Sequence, residues 1–154
     1  MSRRWLVLLF LVVACDDGAS KAKEIGKKID NTVDKLDQAE ASQHLAAATR
    51  AFASGEEAPE ACTWAASAAA DNVGESSRAT VTDLRRMCAL EPPLLRAQRA
   101  VTAAEAARAE QPQAPTLTEC QSDAYPKAAA VLDRDHAANA RWTDLKARWT
   151  KICP

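Results

Sequence analysis

Apolar residues in this chain are sparse, and wherever they recur their spacing is helical. Trp5 to Ala14 is an unbroken apolar run of ten residues. Ile25, Ile29, Val33 and Leu36 then return every three or four positions, the spacing of a stripe on one face of an α-helix. That pattern predicts one long helix over 21–53, with no proline and with Gly26 as its single glycine. Beyond Leu45 the stripe dissolves into alanine. Leu94, Ala97, Val101 and Ala104 share one side of an alanine-rich helix from Pro93 to Glu110. Ala128, Val131, Asp135, Ala138, Trp142, Leu145, Trp149 and Ile152 keep the same helical spacing to the end of the chain. No stretch alternates convincingly in the manner of a strand. The pattern therefore predicts an all-α protein, a long N-terminal amphipathic helix followed by a small disulfide-stapled helical bundle.

Turn chemistry divides the pattern further. Ser54-Gly55-Glu56-Glu57-Ala58-Pro59 reads as a linker, and Pro59 suits the first turn of a helix over Glu60 to Asp71. Asn72-Val73-Gly74 reads as a helix stop, with Gly74 free to take a positive φ. A further helix is expected from Ser76 or Ser77 to about Leu90, ended by Glu91-Pro92-Pro93. Gln111 to Thr116 holds Pro112 and Pro115 and predicts a loop. Thr116-Leu117-Thr118-Glu119 fits a capping box, so a helix is expected to start there, with Pro126 kinking it or delaying its regular part.

Composition explains why the apolar pattern is thin. The chain has 154 residues and is 47% hydrophobic by a broad count, but 35 residues are alanine. After the first 14 residues, Leu, Ile, Val and Phe number 18 of 140. Such a chain buries one modest core, which argues against several domains or a large enzyme with a deep pocket. A net charge of −1 and abundant alanine argue against disorder. The balanced charge also argues against a broadly basic nucleic-acid binder.

The first fifteen residues carry an address. Arg3 and Arg4 precede the Trp5–Ala14 run, which is too short for a bilayer core needing about 20 residues. A basic segment followed by a short apolar one is the pattern of a secretory signal peptide. It ends in Val12-Val13-Ala14-Cys15, which resembles the lipobox of bacterial lipoproteins at all four positions. The resemblance covers only this export segment. It implies removal of 1–14, a diacylglyceryl thioether on Cys15, and a membrane held through that lipid as the first partner. Residues 15–20 then form a lipidated flexible leader, 21–55 a helical tether, and 59–154 the cysteine-bearing module. Inner and outer membrane are not distinguished by Asp16 and Asp17.

Four other cysteines remain: Cys62, Cys88, Cys120 and Cys153. An even number in an exported chain predicts disulfides. Metal ligation fails on spacing, since no two lie two to four residues apart and His44 and His136 are isolated. The midpoint of Cys62 and Cys88 falls at residue 75, beside the expected turn, so these two sit opposite each other at the open end of a helical hairpin. Elimination leaves Cys120 with Cys153. Their midpoint falls between His136 and Ala137, where the turn signal is weak. A continuous helix there would hold the two cysteines about 50 Å apart and forbid the bridge. Asp135, which interrupts the apolar stripe, favours a turn.

One repeat stands out. Arg141-Trp142-Thr143 returns seven residues later as Arg148-Trp149-Thr150. The spacing puts both tryptophans on one stripe and both arginines on the next. Two uses compete: a core of Trp142 and Trp149 covered by arginine stems, or an Arg141, Trp142, Arg148, Trp149 face for an envelope protein or an anionic envelope polymer. The shortage of other large residues favours the core. Lys21, Lys23, Lys27 and Lys28 lie close to Cys15, either as a solvated helix face or resting on anionic head groups.

No catalytic constellation emerges. Nucleophilic catalysis needs a base within reach of the nucleophile, and neither histidine sits in such a motif. Ser20 to Lys23 matches Ser-x-x-Lys without a companion motif. Asp123, Asp133 and Asp135 lack a calcium-loop pattern. No enzyme activity, no metal and no cofactor beyond the lipid on Cys15 are expected. The expected role is a lipid-anchored envelope protein with a non-catalytic binding or structural module. The alternative is a modulator of an envelope enzyme, for instance a murein-degrading one. Cys120 with Tyr125 faintly resembles cysteine-containing lysozyme-inhibitor lipoproteins, whose other motif positions are missing here.

Overall fold

The computed structural model describes residues 18–68 and 73–154. The expected export segment, Cys15 and the leader's first residues lie outside them, as does the stretch 69–72. The described chain is all-α: α1 (Gly18–Ala53), α2 (Glu60–Ser67), α3 (Arg78–Glu110), α4 (Ala124–Asp135) and α5 (Ala140–Ile152). Short 3₁₀ turns precede α3 and α4, at Glu75–Ser77 and Thr118–Gln121.

α1 begins at Gly18, three residues ahead of the expected start, and its 36 residues span about 54 Å. It ends at Ala53 as expected, ahead of the glycine of the linker that follows. Gly55 takes φ 86°. The Gly55 N–H donates to the Phe52 carbonyl at 3.0 Å and the Glu56 N–H to the Ala51 carbonyl at 2.9 Å. That pair of bonds satisfies the last carbonyls of the helix in a Schellman motif. Gly74, expected in that role for α2, has φ −54°. It stands close to Asp34 of α1 instead. A Cβ there would have to turn the Asp34 carboxylate aside, and the Ser76 hydroxyl donates to the Asp34 carbonyl at 3.3 Å. α2 is also shorter than expected, ending at Ser67. Arg85 of α3 finishes it, donating from Nε to the Ala65 carbonyl at 2.9 Å and from Nη2 to that of Ala68.

α3 corrects the largest sequence expectation. Pro92 and Pro93 lie inside one 33-residue helix and do not separate two. Each proline removes one N–H bond, and its ring crowds the carbonyl four residues back. Packing offsets that cost, because Leu84 on one side and Pro93, Leu94, Ala97 and Val101 on the other are all buried along the same helix. The expected capping box at Thr116 is not used. Leu117 precedes a 3₁₀ turn without a side-chain cap, and α4 starts at Ala124, so Pro126 falls in its first turn, where a missing N–H costs nothing. The last two helices are a hairpin and not one rod. The Asn139 side chain caps α5 by accepting from the Trp142 N–H at 3.2 Å, which supplies the stop that the sequence marks with neither Gly nor Pro.

Three buried clusters line up along α3. Ala48, Phe52, Ala61, Ala65 and Leu84 join α1, α2 and the start of α3. Leu94, Ala97, Val101, Tyr125, Ala128, Leu132, Trp142 and Leu145 join its middle to α4 and α5. Ala104, Ala107, Leu117 and Ile152 close its far end. Many of the fully buried positions are alanine, which lets helices approach closely. Cys62–Cys88 and Cys120–Cys153 are both formed, with Cα atoms 5.6 and 5.5 Å apart, and each lies against one of the two end clusters.

Candidate functional site

The Arg/Trp repeat is largely absorbed by the fold. Trp142 is 1% exposed, at the centre of the middle cluster. Its Nε1–H donates to Asp133 Oδ1 at 2.8 Å, and Lys146 Nζ donates to the same carboxylate at 2.9 Å. These two bonds hold the Asp133 carboxyl below its ordinary range, the lysine contributing most. Trp149 is half-buried and stacks on Tyr125 at 4.0 Å between ring centres, with planes 4° apart. Burial and the nearby Asp133 charge push the Tyr125 phenol up to about 12. Tyr125 is buried in the middle cluster.

The two arginines of the repeat reach α3. Arg141 Nη1 donates to Glu91 Oε1 at 2.7 Å. Arg148 makes a two-pronged contact with Glu105, Nε to Oε1 at 2.9 Å and Nη2 to Oε2 at 2.8 Å. That contact lowers the Glu105 carboxyl and raises the guanidinium. Trp142, Trp149, Arg141 and Arg148 thus tie α5 to its neighbours and do not make one exposed binding face. Their partners lie 50 and 43 residues away in sequence, at a distance no local pattern reports. Arg108, not singled out by the sequence, donates to the carbonyls of Ala114 at 2.7 Å and Ile152 at 3.0 Å and clamps the chain's end onto α3.

Each bridge shares its cluster with a tryptophan. Trp64, Cys62 and Cys88 all pack against the cluster of Ala48, Phe52 and Leu84, and His44 stacks on Trp64 with ring centres 4.2 Å apart. Trp149, Cys120 and Cys153 likewise pack against the cluster of Ala104, Leu117 and Ile152. Along α3, Glu57 accepts from both Arg96 and Arg99 at the rim of an open groove that also involves Ala100 and Ala124. The carboxylate cancels much of that arginine pair. Among the described residues, no group of three or more His, Cys, Asp or Glu is arranged to hold a metal, and no helix is long and apolar enough to cross a membrane.

What the fold leaves free is the first half of α1. From Lys23 to Val33 every residue except Gly26 is exposed, including Ile25 (53%), Ile29 (43%) and Val33 (50%). The helix meets the bundle from Asp34 onward, through Ala41, Ala48 and Phe52. At 3.6 residues per turn, Ile25 and Ile29 lie about 120–160° around the axis from Ala41, and Val33 about 80°. Lys28 and Lys35, seven residues apart, form the column beside Ile25. Asp30, Asp34 and Asp37 fall on the bundle's side. Lys28 pairs with Glu24 at 2.9 Å, and both remain well exposed. The free face therefore carries Ile25, Ile29 and Val33 beside a lysine column in which Lys28 is paired with Glu24, and these three apolar residues are left exposed by the bundle. Comparison with protein-family models, with curated proteins and with solved structures found no match to the chain.

Proposed function

We propose that this chain is a lipid-anchored cell-envelope protein, held by a diacylglyceryl group on Cys15, whose helical module binds or braces another envelope component without catalysis. The observation that carries the reading is the cysteine arithmetic. Cys62 pairs with Cys88 and Cys120 with Cys153, so no cysteine of the chain is left for Cys15. A fifth cysteine directly after Val12-Val13-Ala14 is then best used as a lipidation site. Two disulfides support an oxidising compartment, which agrees with export. Covalent acyl chains supply membrane hold that no described helix offers by spanning.

Intact mass of the protein from the membrane fraction tests this. The expected species begins at Cys15, carries diacylglycerol, and has four cysteines oxidised. Cys15→Ala abolishes palmitate labelling. Labelling that survives Cys15→Ala, or an unmodified chain in the soluble fraction, overturns the anchor.

A further inference from the structure

The geometry of α1 points to a surface that its free face would cover. We propose that the segment from about Lys21 to Lys35 lies along an anionic phospholipid bilayer, with Ile25, Ile29 and Val33 in the apolar boundary and the lysine column on the head groups. This rests on the anchored reading, because α1 begins only three residues after Cys15.

Three observations favour lipid. First, the stripe is exposed although the chain is poor in aliphatic residues and buries most of the others. Second, the flank beside the stripe carries lysines, while Lys23 and Lys27 share the bundle's side of the helix with the acidic residues. Lys28 and Lys35 flank the stripe, and the sequence carries the same seven-residue column back to Lys21. The acidic Asp30, Asp34 and Asp37 lie away from it, toward the bundle. A basic flank on an apolar stripe suits anionic head groups over an acyl boundary. Third, the bundle packs on the other side of α1, so the helix can rest lengthwise on a flat surface without the bundle intervening. A second copy of the chain fits less well. The apolar residues at 25, 29, 33 and 36 cover about two heptads, short of the three or four that a coiled-coil seam requires.

Flotation with vesicles tests the surface by itself. A chain of residues 16–154 keeps all three buried clusters and both bridges, since these lie within 41–153. It lacks the export segment, so only α1 can report. It is expected to float with vesicles of phosphatidylglycerol and phosphatidylethanolamine and not with phosphatidylcholine alone, and to be released by salt. Ile25→Ser with Ile29→Ser, and separately Lys28→Glu with Lys35→Glu, should each weaken binding at least about tenfold, with helicity by circular dichroism retained. Absence of flotation at excess anionic lipid overturns the proposal, as does equal binding by the variants or equal binding to both lipids. If the parent chain is dimeric and the serine variant monomeric, a second copy covers the stripe and the proposal falls. The mass of Cys15 in membranes is read independently, so failure of the anchor and failure of this surface are told apart.

Discussion

Asp133 is the residue on which the middle of the bundle turns. It accepts from the buried Trp142 indole and from Lys146, joining the end of α4 to α5 across the turn. Its carboxyl, like that of Glu105, is held below the ordinary range in the folded state. A lowered folded pKa means that the unfolded chain binds protons first as acid is added. The stabilisation is therefore complete above the unfolded pKa and is lost as pH falls through the folded one. The melting temperature is expected to be level from neutral pH to about 5 and to fall below about 4. Asp133→Asn should lower stability at neutral pH and flatten the acid limb, as thermal melts over pH 2 to 7 would measure. A variant with an unchanged acid limb would remove Asp133 from this role. Trp142→Phe keeps most of the buried ring and deletes the indole donor. It should cost about 1.5–3 kcal/mol, the range for a hydrogen bond to a charged group. Sequence reasoning places Trp142 on the right stripe, but it has no means of finding Asp133. That contact depends on the turn register between two helices.

At the scale of elements, helix type was legible and helix length was not. The periods of three and four mark α1, α4 and α5, and one hairpin midpoint picks out Cys62–Cys88, which leaves Cys120–Cys153 by elimination. What fails is punctuation. Pro92 and Pro93 read locally as a stop, yet the core on both sides of them carries α3 through. Gly74 reads as a left-handed cap, yet its φ is −54° and it stands in the turn that Ser76 ties to α1. Both errors have one cause, since a local rule weighs backbone preference and cannot see what packs against it. Pro92→Ala is expected to stabilise the protein by about 2 kcal/mol, the interior-proline penalty less the chain entropy that proline removes on unfolding. Denaturant melts would measure it. Destabilisation would mean that the proline ring itself packs in a way alanine cannot replace. Gly55→Ala should destabilise, by about 1 kcal/mol, because φ 86° favours glycine.

For the whole molecule, α3 is the common partner. It packs on α1, α2, α4 and α5. Its two ends are each stapled, by Cys62–Cys88 directly and by Cys120–Cys153 through the loop and α5. Loops of 26 and 33 residues correspond to about 3.5 kcal/mol each in the chain-entropy model. Replacing Cys62 and Cys88 together by alanine should lower the unfolding free energy by roughly that amount, and the Cys120 and Cys153 pair likewise. The exposed stripe of α1 is the part of the molecule that the sequence displays openly but that the bundle does not use.

The order of the bridges has a consequence for biogenesis. Each disulfide joins a cysteine to the next one along the chain, and the loops neither overlap nor nest. A chain delivered into an oxidising compartment from its N-terminus exposes Cys62 and Cys88 together before Cys120 arrives. Oxidation at first contact then gives the native pair, and the remaining two cysteines have only each other. Of the three possible pairings, only this one needs no later thiol–disulfide exchange. Native pairing is expected to form at full yield in cells that lack a disulfide isomerase, while refolding of the fully reduced chain should pass through mispaired species that an isomerase resolves. Peptide mapping of both products would test this.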